Sequence, residues 1–287
     1  MNIRRLGLIA GNGPLPLQVL DEARRQGVPV TVVAAAEEAD PALDEAASRP
    51  GPEVTVHWLG VGRLNRLIEV FRQEGVDHAL MVGQVKHTRI FARGSRFPLR
   101  RLKHLPDLRM LKLLASLDRR NTASLIQAVI RELEREGIAF VDSTLFLQPI
   151  LAHSGVMTRR APDAEEQKDF DYGRPVALEL ARLDIGQTIV VKEQAVVAVE
   201  AMEGTDATIH RAAELAGGER LTVIKVSRPH QDMRFDVPVV GPQTLEVLRQ
   251  CSVSALAVDA GRTLMIDKPA LLEQADQMNL TIVGFPT

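Results

Sequence analysis

Apolar and polar residues follow two successive arrangements along the chain. In the first, short apolar runs lead into stretches with apolar residues at helical spacing. A strand is predicted over 6–10; it passes through Gly11-Asn12-Gly13-Pro14-Leu15-Pro16 into Leu17, Leu20 and Ala23, whose spacing predicts a helix ending at Gly27. The pattern continues with a strand over 28–34, an acidic loop containing proline, a strand over 54–59, an amphipathic helix over 64–74 stopped by Gly75, and a strand through Leu80-Met81-Val82. Strands alternating with helices predict a parallel, doubly wound sheet. Leu102, Leu105, Leu108, Leu111 and Leu114 place leucines on one face and cations on the other, which predicts further helices. Asn121 is the expected N-cap of a helix with apolar face Leu125, Ile126, Val129, Ile130 and Leu133, and a strand over 138–141 completes a first domain, 1–143.

The second arrangement occupies 144–287. A helix is predicted over 163–183, interrupted around Gly173 and Pro175, before two alternating runs, 188–192 and 195–200, joined by Glu193-Gln194 as a hairpin. Strands over 221–226, 255–258, 264–267 and 280–285 are separated by helices over 206–216, 243–251 and 269–278. The fold class expected is α/β: a parallel-sheet N-terminal domain followed by an α+β C-terminal domain with a mixed sheet.

Composition sharpens this picture at a few points. With 287 residues the chain is long enough for two domains of about 150 residues, and 45% hydrophobic with 25% charged residues excludes disorder. A single cysteine, Cys251, supplies neither an internal disulfide nor a metal site by itself, and it fits a reducing, cytoplasmic setting. No run approaches the ~18 to 20 apolar residues of a membrane helix, so a soluble or at most peripheral protein is expected. The net charge of −2 argues against a nucleic-acid binder. It conceals an asymmetry, because residues 86–120 hold eleven Lys or Arg against Asp107 and Asp118; that segment carries +9 and the rest −11, and something anionic is its expected neighbour.

Candidate chemistry begins at the glycine turn. Gly11 and Gly13 would let backbone amides at a helix start approach a phosphate, but Pro16 stands where a dinucleotide fingerprint has its third glycine, and Glu37 and Glu38 are late for a ribose contact. Gly83-Gln84 ends the fourth strand at the same sheet edge, where open α/β sheets bind ligands. The run Arg131-Glu132-Leu133-Glu134-Arg135-Glu136-Gly137 looks like part of a diphosphate-hydrolase metal helix, but the spacing before the glycine is wrong and Leu117 and Ala123 replace the required upstream residues; a solvated helix end is expected. Zinc peptidase, serine hydrolase and P-loop motifs are absent from the sequence, and its seven histidines lack ligand spacing.

Two stretches remain. In Val199-Glu200-Ala201-Met202-Glu203-Gly204-Thr205-Asp206, three carboxylates cluster between a strand and a helix, and Asp206 has an ordinary role available as N-cap. Between Lys225 and Pro238, Lys225, Arg228 and Arg234 are mixed with Asp232 and Asp236. Cations that hold phosphate oxygens and carboxylates that hold a divalent metal or orient water are what phosphoryl chemistry requires. A surface salt-bridge loop is the plain alternative, although Phe235, Val237 and Pro238 suggest partial burial of Asp236.

The opening L-G-L-I-A-G-N-G-x-L-P, the R-L-D-I-G-Q ending at Gln187, the V-E-A-M-E-G-T-D ending at Asp206, the K-x-x-R-P-x-Q-D-x-R-x-D-x-P from Lys225 to Pro238, and the A-G-R-T-L-M-I-D ending at Asp267 together resemble the LpxI family. Members of that family are UDP-2,3-diacylglucosamine pyrophosphatases of lipid A synthesis. The resemblance implies a Mg²⁺-dependent hydrolase, with Mn²⁺ as an alternative, that splits UDP-2,3-diacylglucosamine into UMP and 2,3-diacylglucosamine 1-phosphate (lipid X). It also implies a Rossmann-like N-terminal domain, a C-terminal domain of the family's own type, and lipid held in the crevice between them.

The family's essential aspartate falls on Asp236, which becomes the expected catalytic group and metal ligand, with Glu203 and Asp206 as further metal candidates. Expected substrate contacts are Gly11, Gly13, Gly83, Gln84, Gln187, Lys225, Arg228, Gln231 and Arg234. An acidic pair common in the family is here Thr122-Ala123, so no ligand is expected there. Basic helices over 102–114, with Phe91 and Phe97 nearby, would rest on anionic inner-membrane lipid, or would merely solvate their cations. Homodimerisation is left open, as is the alternative of a non-catalytic protein that binds lipid X or a sugar nucleotide.

Overall fold

The computed structural model describes residues 2–36, 38–85, 106–117, 121–217, 220–229 and 231–287. Most of the basic segment, with Phe91, Phe97, Leu102 and Leu105, lies outside the described residues, as do Glu37 and His230. The chain divides into two units, Met1–Leu147 and Gln148–Thr287.

In the first unit, β1 (Leu6–Ala10), β2 (Val30–Ala35), β3 (Val54–Leu59), β4 (His78–Val82) and β5 (Ala139–Phe140) form one parallel sheet in the order β3-β2-β1-β4-β5. This is the doubly wound order expected of alternating strands and helices, with β1 in the middle. Its near-continuous apolar sequence suits a strand covered on both faces, and Leu6, Leu8 and Ala10 are fully buried. The helices are α1 (Leu15–Arg25), α2 (Ala42–Ala47), α3 (Leu64–Gln73), α4 (Leu108–Ala115) and α5 (Thr122–Arg135).

Asn121 caps α5 as expected, its side chain accepting from the Ser124 N–H at 2.8 Å. Asp107 caps α4 through the Met110 N–H at 2.9 Å and also accepts from Asn65 in α3 at 2.7 Å, so one carboxylate ties two helix starts together. Arg109 of α4 reaches Glu132 at 2.8 Å and Glu136 at 2.7 Å. Two carboxylates of the run that imitates a metal helix, Glu132 and Glu136, are therefore engaged in a clasp with α4, and Arg109 holds both below their ordinary pKa.

The second unit contains a mixed sheet in the order β6-β13-β11-β9-β7-β8, built from β6 (Gly155–Val156), β7 (Thr188–Lys192), β8 (Ala195–Val199), β9 (Leu221–Lys225), β11 (Val253–Asp259) and β13 (Thr281–Phe285). Strands β9, β11 and β13 run parallel, and β6 and β7 are antiparallel to their neighbours. The β7–β8 hairpin turns through Glu193 and Gln194, both at positive φ (50° and 60°), whose twist matches that of the strands. A separate parallel pair joins β10 (Val239–Val240) to β12 (Leu264–Met265). One sheet face is covered by α7 (Thr205–Ala216), α8 (Pro242–Gln250) and α9 (Lys268–Gln277) through Ile209, Leu245, Leu248 and Leu271; the other is covered by α6 (Ala164–Arg182) through Phe170, Ala177 and Ala181.

The interruption expected in α6 is not there, for a packing reason. Gly173 lies so close to the sheet that a Cβ would come within 2.5 Å of Ile224 Cδ1 and 2.8 Å of Val191 Cγ2. The glycine permits close approach rather than ending the helix, and Pro175 continues inside it. A full capping box, Asp163 with Glu166, starts the helix. Burial of its apolar stripe outweighs the hydrogen bond that Pro175 cannot donate.

Asp77, just before β4, accepts from the backbone N–H groups of Arg5 (3.1 Å) and Arg4 (3.2 Å) at the entry to β1. Desolvation raises its pKa, but these amides and His78 outweigh it and bring the value down to about 2. Because the folded value lies below the unfolded one, the stabilisation is present above about pH 4 and is lost as the pH falls toward 2. Asp77→Asn should thus be less stable at neutral pH and show a shallower fall in urea midpoint between pH 4 and pH 2 than the parent protein.

Candidate active site

Strands β9 and β11 are apolar almost to their last residue, where each ends in a buried charge. Lys225 closes β9 at 7% exposure and Asp259 closes β11 at 2%. Register carries these ends to one edge: Lys225 is opposite Thr188 on β7 and Val258 on β11, Val258 is opposite Gly284 on β13, and Ile189 is opposite Val199 on β8. Thr188, Glu200, Lys225, Asp259 and Phe285 consequently share the edge at which parallel strands end, where α/β sheets place ligands.

Asp259 fixes the start of the loop that follows β9. Its carboxylate accepts from the Ser227 N–H at 2.6 Å and faces Arg174 at 3.4 Å. Arg174 lies over the Phe285 ring, 5.2 Å from its centroid, and donates to the Pro286 carbonyl at 3.0 Å. The Val226 N–H donates to the Gln187 carbonyl at 2.9 Å, so Gln187 borders the same loop through its backbone, while its side-chain oxygen is buried without a partner.

Within the loop, the Gln231 side chain accepts from the Arg228 N–H at 2.8 Å, and the Gln231 N–H returns to the Arg228 carbonyl at 3.1 Å. Arg234 forks onto Asp232 at 2.9 and 2.8 Å, holding the Asp232 carboxyl below its ordinary pKa. The Asp232 carbonyl accepts from the N–H groups of Phe235 and Asp236, closing a helical turn that presents Asp236 beside Arg228. Arg228 approaches Asp236 at 3.4 Å and Asp184 at 3.2 Å, and these three side chains are 37%, 44% and 80% exposed. Asp236 is thus half-buried, with a cation on one oxygen. The arrangement can hold an anion and offer it a carboxylate.

The acidic cluster is divided among separate tasks. Glu203 accepts from the Ala201 N–H at 3.0 Å and pairs with Arg211 at 2.7 Å. Gly204, at φ 86°, takes the N-cap position of α7; Asp206 sits in the first turn instead, where the helix dipole favours it, and accepts from Gln243 at 3.2 Å. Among the described residues no group of three or more His, Cys, Asp or Glu side chains could hold a metal ion. Asp236, Glu203 and Asp206 therefore do not make such a group.

In the N-terminal unit, Gly11 and Gly83 serve a close backbone crossing. Asn12 and Gln84 exchange two N–H···O bonds of 2.8 Å, and the Gly11 N–H donates to the Val82 carbonyl at 2.9 Å. A Cβ on Gly11 would lie 2.8 Å from the Gln84 carbonyl oxygen, and one on Gly83 2.7 Å from the Gly11 carbonyl carbon. The Gly11 and Asn12 amides are consequently occupied within the protein. Gly13, at φ 102°, leads into α1, whose N-cap, Pro14, makes no side-chain capping bond.

Sequence reasoning did not single out Asp259, Ser227, Thr205, Thr188 or Asp184. Asp259 had a legible signal: a lone acid ending an apolar strand run, beside the A-G-R-T-L-M-I-D element. Thr205 stood inside a quoted motif but has no charge to attract attention.

A family model of the LpxI N-terminal domain matches residues 5–150, and one of the LpxI C-terminal domain matches residues 153–283. The chain belongs to the LpxI family. A curated relative, UDP-2,3-diacylglucosamine pyrophosphatase LpxI of Caulobacter vibrioides, is 32% identical over 292 aligned residues that cover 98% of each chain. Among solved structures, CobK precorrin-6A reductase aligns over 98% of this chain and 87% of its own at 15% identity, with a TM-score of 0.28, too low to carry an argument. The family match therefore spans both units, and it includes the loop from Lys225 to Asp236.

Asp259 supplies a test of how that loop is held. Asp259→Ala leaves the Ser227 N–H and Arg174 without their buried acceptor, and breaking a buried pair in this way costs about 3 to 5 kcal/mol. A fall in melting temperature of several degrees is expected by calorimetry, whereas Asp184→Ala, which removes an 80% exposed carboxylate, should leave it nearly unchanged.

Proposed function

We propose that the protein hydrolyses the diphosphate of UDP-2,3-diacylglucosamine to UMP and 2,3-diacylglucosamine 1-phosphate, lipid X. The observation that carries this reading is the half-buried Asp236 carboxylate held beside Arg228, in a loop anchored at the carboxyl edge of the C-terminal sheet. LpxI-family membership across both domains supports it.

In this reading water adds to the sugar-side phosphorus. The bond from that phosphorus to the bridging oxygen breaks, and UMP leaves with the bridging oxygen. Asp236 orients the water and takes its proton. A positioned base of this kind contributes typically ~10²- to 10⁴-fold. Arg228 neutralises nonbridging oxygens, a task suited to a planar guanidinium, and Lys225 and Arg234 contribute positive charge to the same edge. Gln187 and Gln231, each with a buried amide atom that lacks a partner, are assigned to polar groups of the substrate.

The donor set does not fit a metal resident on protein ligands alone, since no carboxylate triad exists among the described residues. It does fit the habit of Mg²⁺, which keeps several waters and is held by one or two carboxylates together with substrate phosphates. Among the described residues we assign Asp236 as the carboxylate that would help hold a Mg²⁺, or Mn²⁺, together with the substrate. Such an ion supplies Lewis-acid neutralisation of phosphate oxygens.

Purified protein incubated with UDP-2,3-diacylglucosamine should release UMP. EDTA should suppress the release, and Asp236→Asn should lower kcat at least 100-fold with an unchanged melting temperature. Lipid X binding without any UMP would instead favour a non-catalytic binding protein, and release indifferent to EDTA would remove the metal from the reading.

A membrane-borne substrate calls for contact with its surface. No helix among the described residues is long and apolar enough to cross a membrane. On α4, however, Leu108 is 76% and Leu111 50% exposed, next to exposed Lys112 and, on α5, Arg131. We assign this face to anionic lipid on the cytoplasmic side of the inner membrane. Flotation with phosphatidylglycerol vesicles should be strong at low salt and weaken at high salt, and Lys112→Glu with Arg131→Glu should abolish it.

A further inference from the structure

The buried Lys225 ammonium is not paired directly with a carboxylate. Its Nζ donates to Thr205 Oγ1 at 3.1 Å, the one hydrogen bond it makes to the described residues. Thr205 in turn donates to Glu200 Oε1 at 3.0 Å. A hydroxyl carries a single proton, so a Thr205 that accepts from the ammonium must spend its own proton on the carboxylate. Thr188, whose hydroxyl is 3.3 Å from that of Thr205, is left to donate into the remaining lone pair. The chain from Lys225 through Thr205 to Glu200 therefore has a fixed direction. Glu200 is itself 8% exposed, and its second oxygen, Oε2, is buried without a partner.

An isolated buried carboxylate is costly, and desolvation normally drives such a group or its neighbour toward neutrality. Here two opposite buried charges share one hydroxyl, and two N–H groups of the ammonium are left at the sheet edge. We infer that Glu200 is a positioning residue for Lys225: acting through Thr205, it keeps the ammonium charged and holds its two remaining N–H groups toward a phosphate oxygen of the substrate. This rests on the diphosphatase reading for the identity of the phosphate, but the link between Glu200 and Lys225 does not.

Among the described residues few charged groups face the ammonium. Glu200 comes from the end of β8 and Asp206 from α7; burial pushes the Lys225 pKa below its ordinary value while these two carboxylates push it back up. On the neighbouring strand, Asp259 is turned to Ser227 and Arg174. On α6, Asp169 is bonded to Thr222 and Gln194, near the other end of β9.

The chain has seven lysines, so the ¹³Cε resonance of Lys225 in lysine-labelled protein can be assigned by its absence from Lys225→Arg. In Glu200→Gln, which keeps the acceptor and removes the charge, the deprotonation midpoint of Lys225 should fall by at least one pH unit, a tenfold change in the equilibrium. Thr205→Val should lower it too, and Thr205→Ser should restore it, which keeps the test open if Glu200→Gln folds poorly. For UMP release, Glu200→Gln should raise KM about tenfold at pH 8.5 and much less at pH 6.5, where the amine is protonated; a loss of folded fraction would lower kcat at both and leave KM alone. A midpoint unmoved in Glu200→Gln and Thr205→Val overturns the inference. A midpoint that moves, in a protein that releases no UMP, upholds the link and overturns the diphosphatase reading alone.

Discussion

Polar groups at the end of a buried sheet must find partners, and that requirement organises the C-terminal unit. The strands β9 and β11 close on opposite charges, Lys225 and Asp259, on adjacent strands of one edge. Pairing them with each other would have consumed both. Each instead engages a different element. Asp259 takes the Ser227 N–H near the start of the loop after β9 together with an arginine from α6, while Lys225 takes a hydroxyl from the first turn of α7. Loop and helix are thereby located by the ends of the strands. The loop that presents Asp236 begins from a point set by the short, buried, charge-assisted bond from the Ser227 N–H to Asp259, of a kind roughly twice as strong as a neutral one.

Much of this was legible in the sequence because the dominant signal is periodic. In the N-terminal unit the alternation of apolar runs with helical spacing was enough to imply a parallel sheet, and the cap expected at Asn121 lies where its side chain satisfies a first-turn helical amide. The hairpin at Glu193-Gln194 was visible for the same reason. Residues whose role depends on a distant partner were not. Gly173 resembles a helix breaker until Ile224 is seen beneath it. Asp206 resembles an N-cap until Gly204 is found in that position, and Gly11 resembles a phosphate loop until the Asn12 and Gln84 backbones are found bonded to each other.

The same distinction separates the charges of the site. A motif shows which charged residue types are present, but not which of them are already neutralised by their neighbours. Glu203, expected as a metal candidate, is held by Arg211 and by a backbone amide. Glu200, its neighbour in sequence, is the one with a buried unpartnered oxygen. Two acids three positions apart therefore differ in kind, and only packing tells them apart.

The loop cations differ in a way that bears on how an anion would enter. Arg234 is forked onto Asp232 by two short bonds, a geometry that orients the guanidinium and opposes its release. Arg228 is shared between Asp184 and Asp236 at 3.2 and 3.4 Å, and its Asp184 partner is largely in solvent. Exposed pairs of that kind contribute about 0 to 1 kcal/mol, so replacing Asp184 by a phosphate oxygen costs the protein little. An arriving diphosphate would draw Arg228 away from its carboxylates at small expense, and in doing so would leave Asp236 without its cation. On the proposed reading, the diphosphate would thereby take Arg228 from Asp236, the carboxylate assigned to act on water.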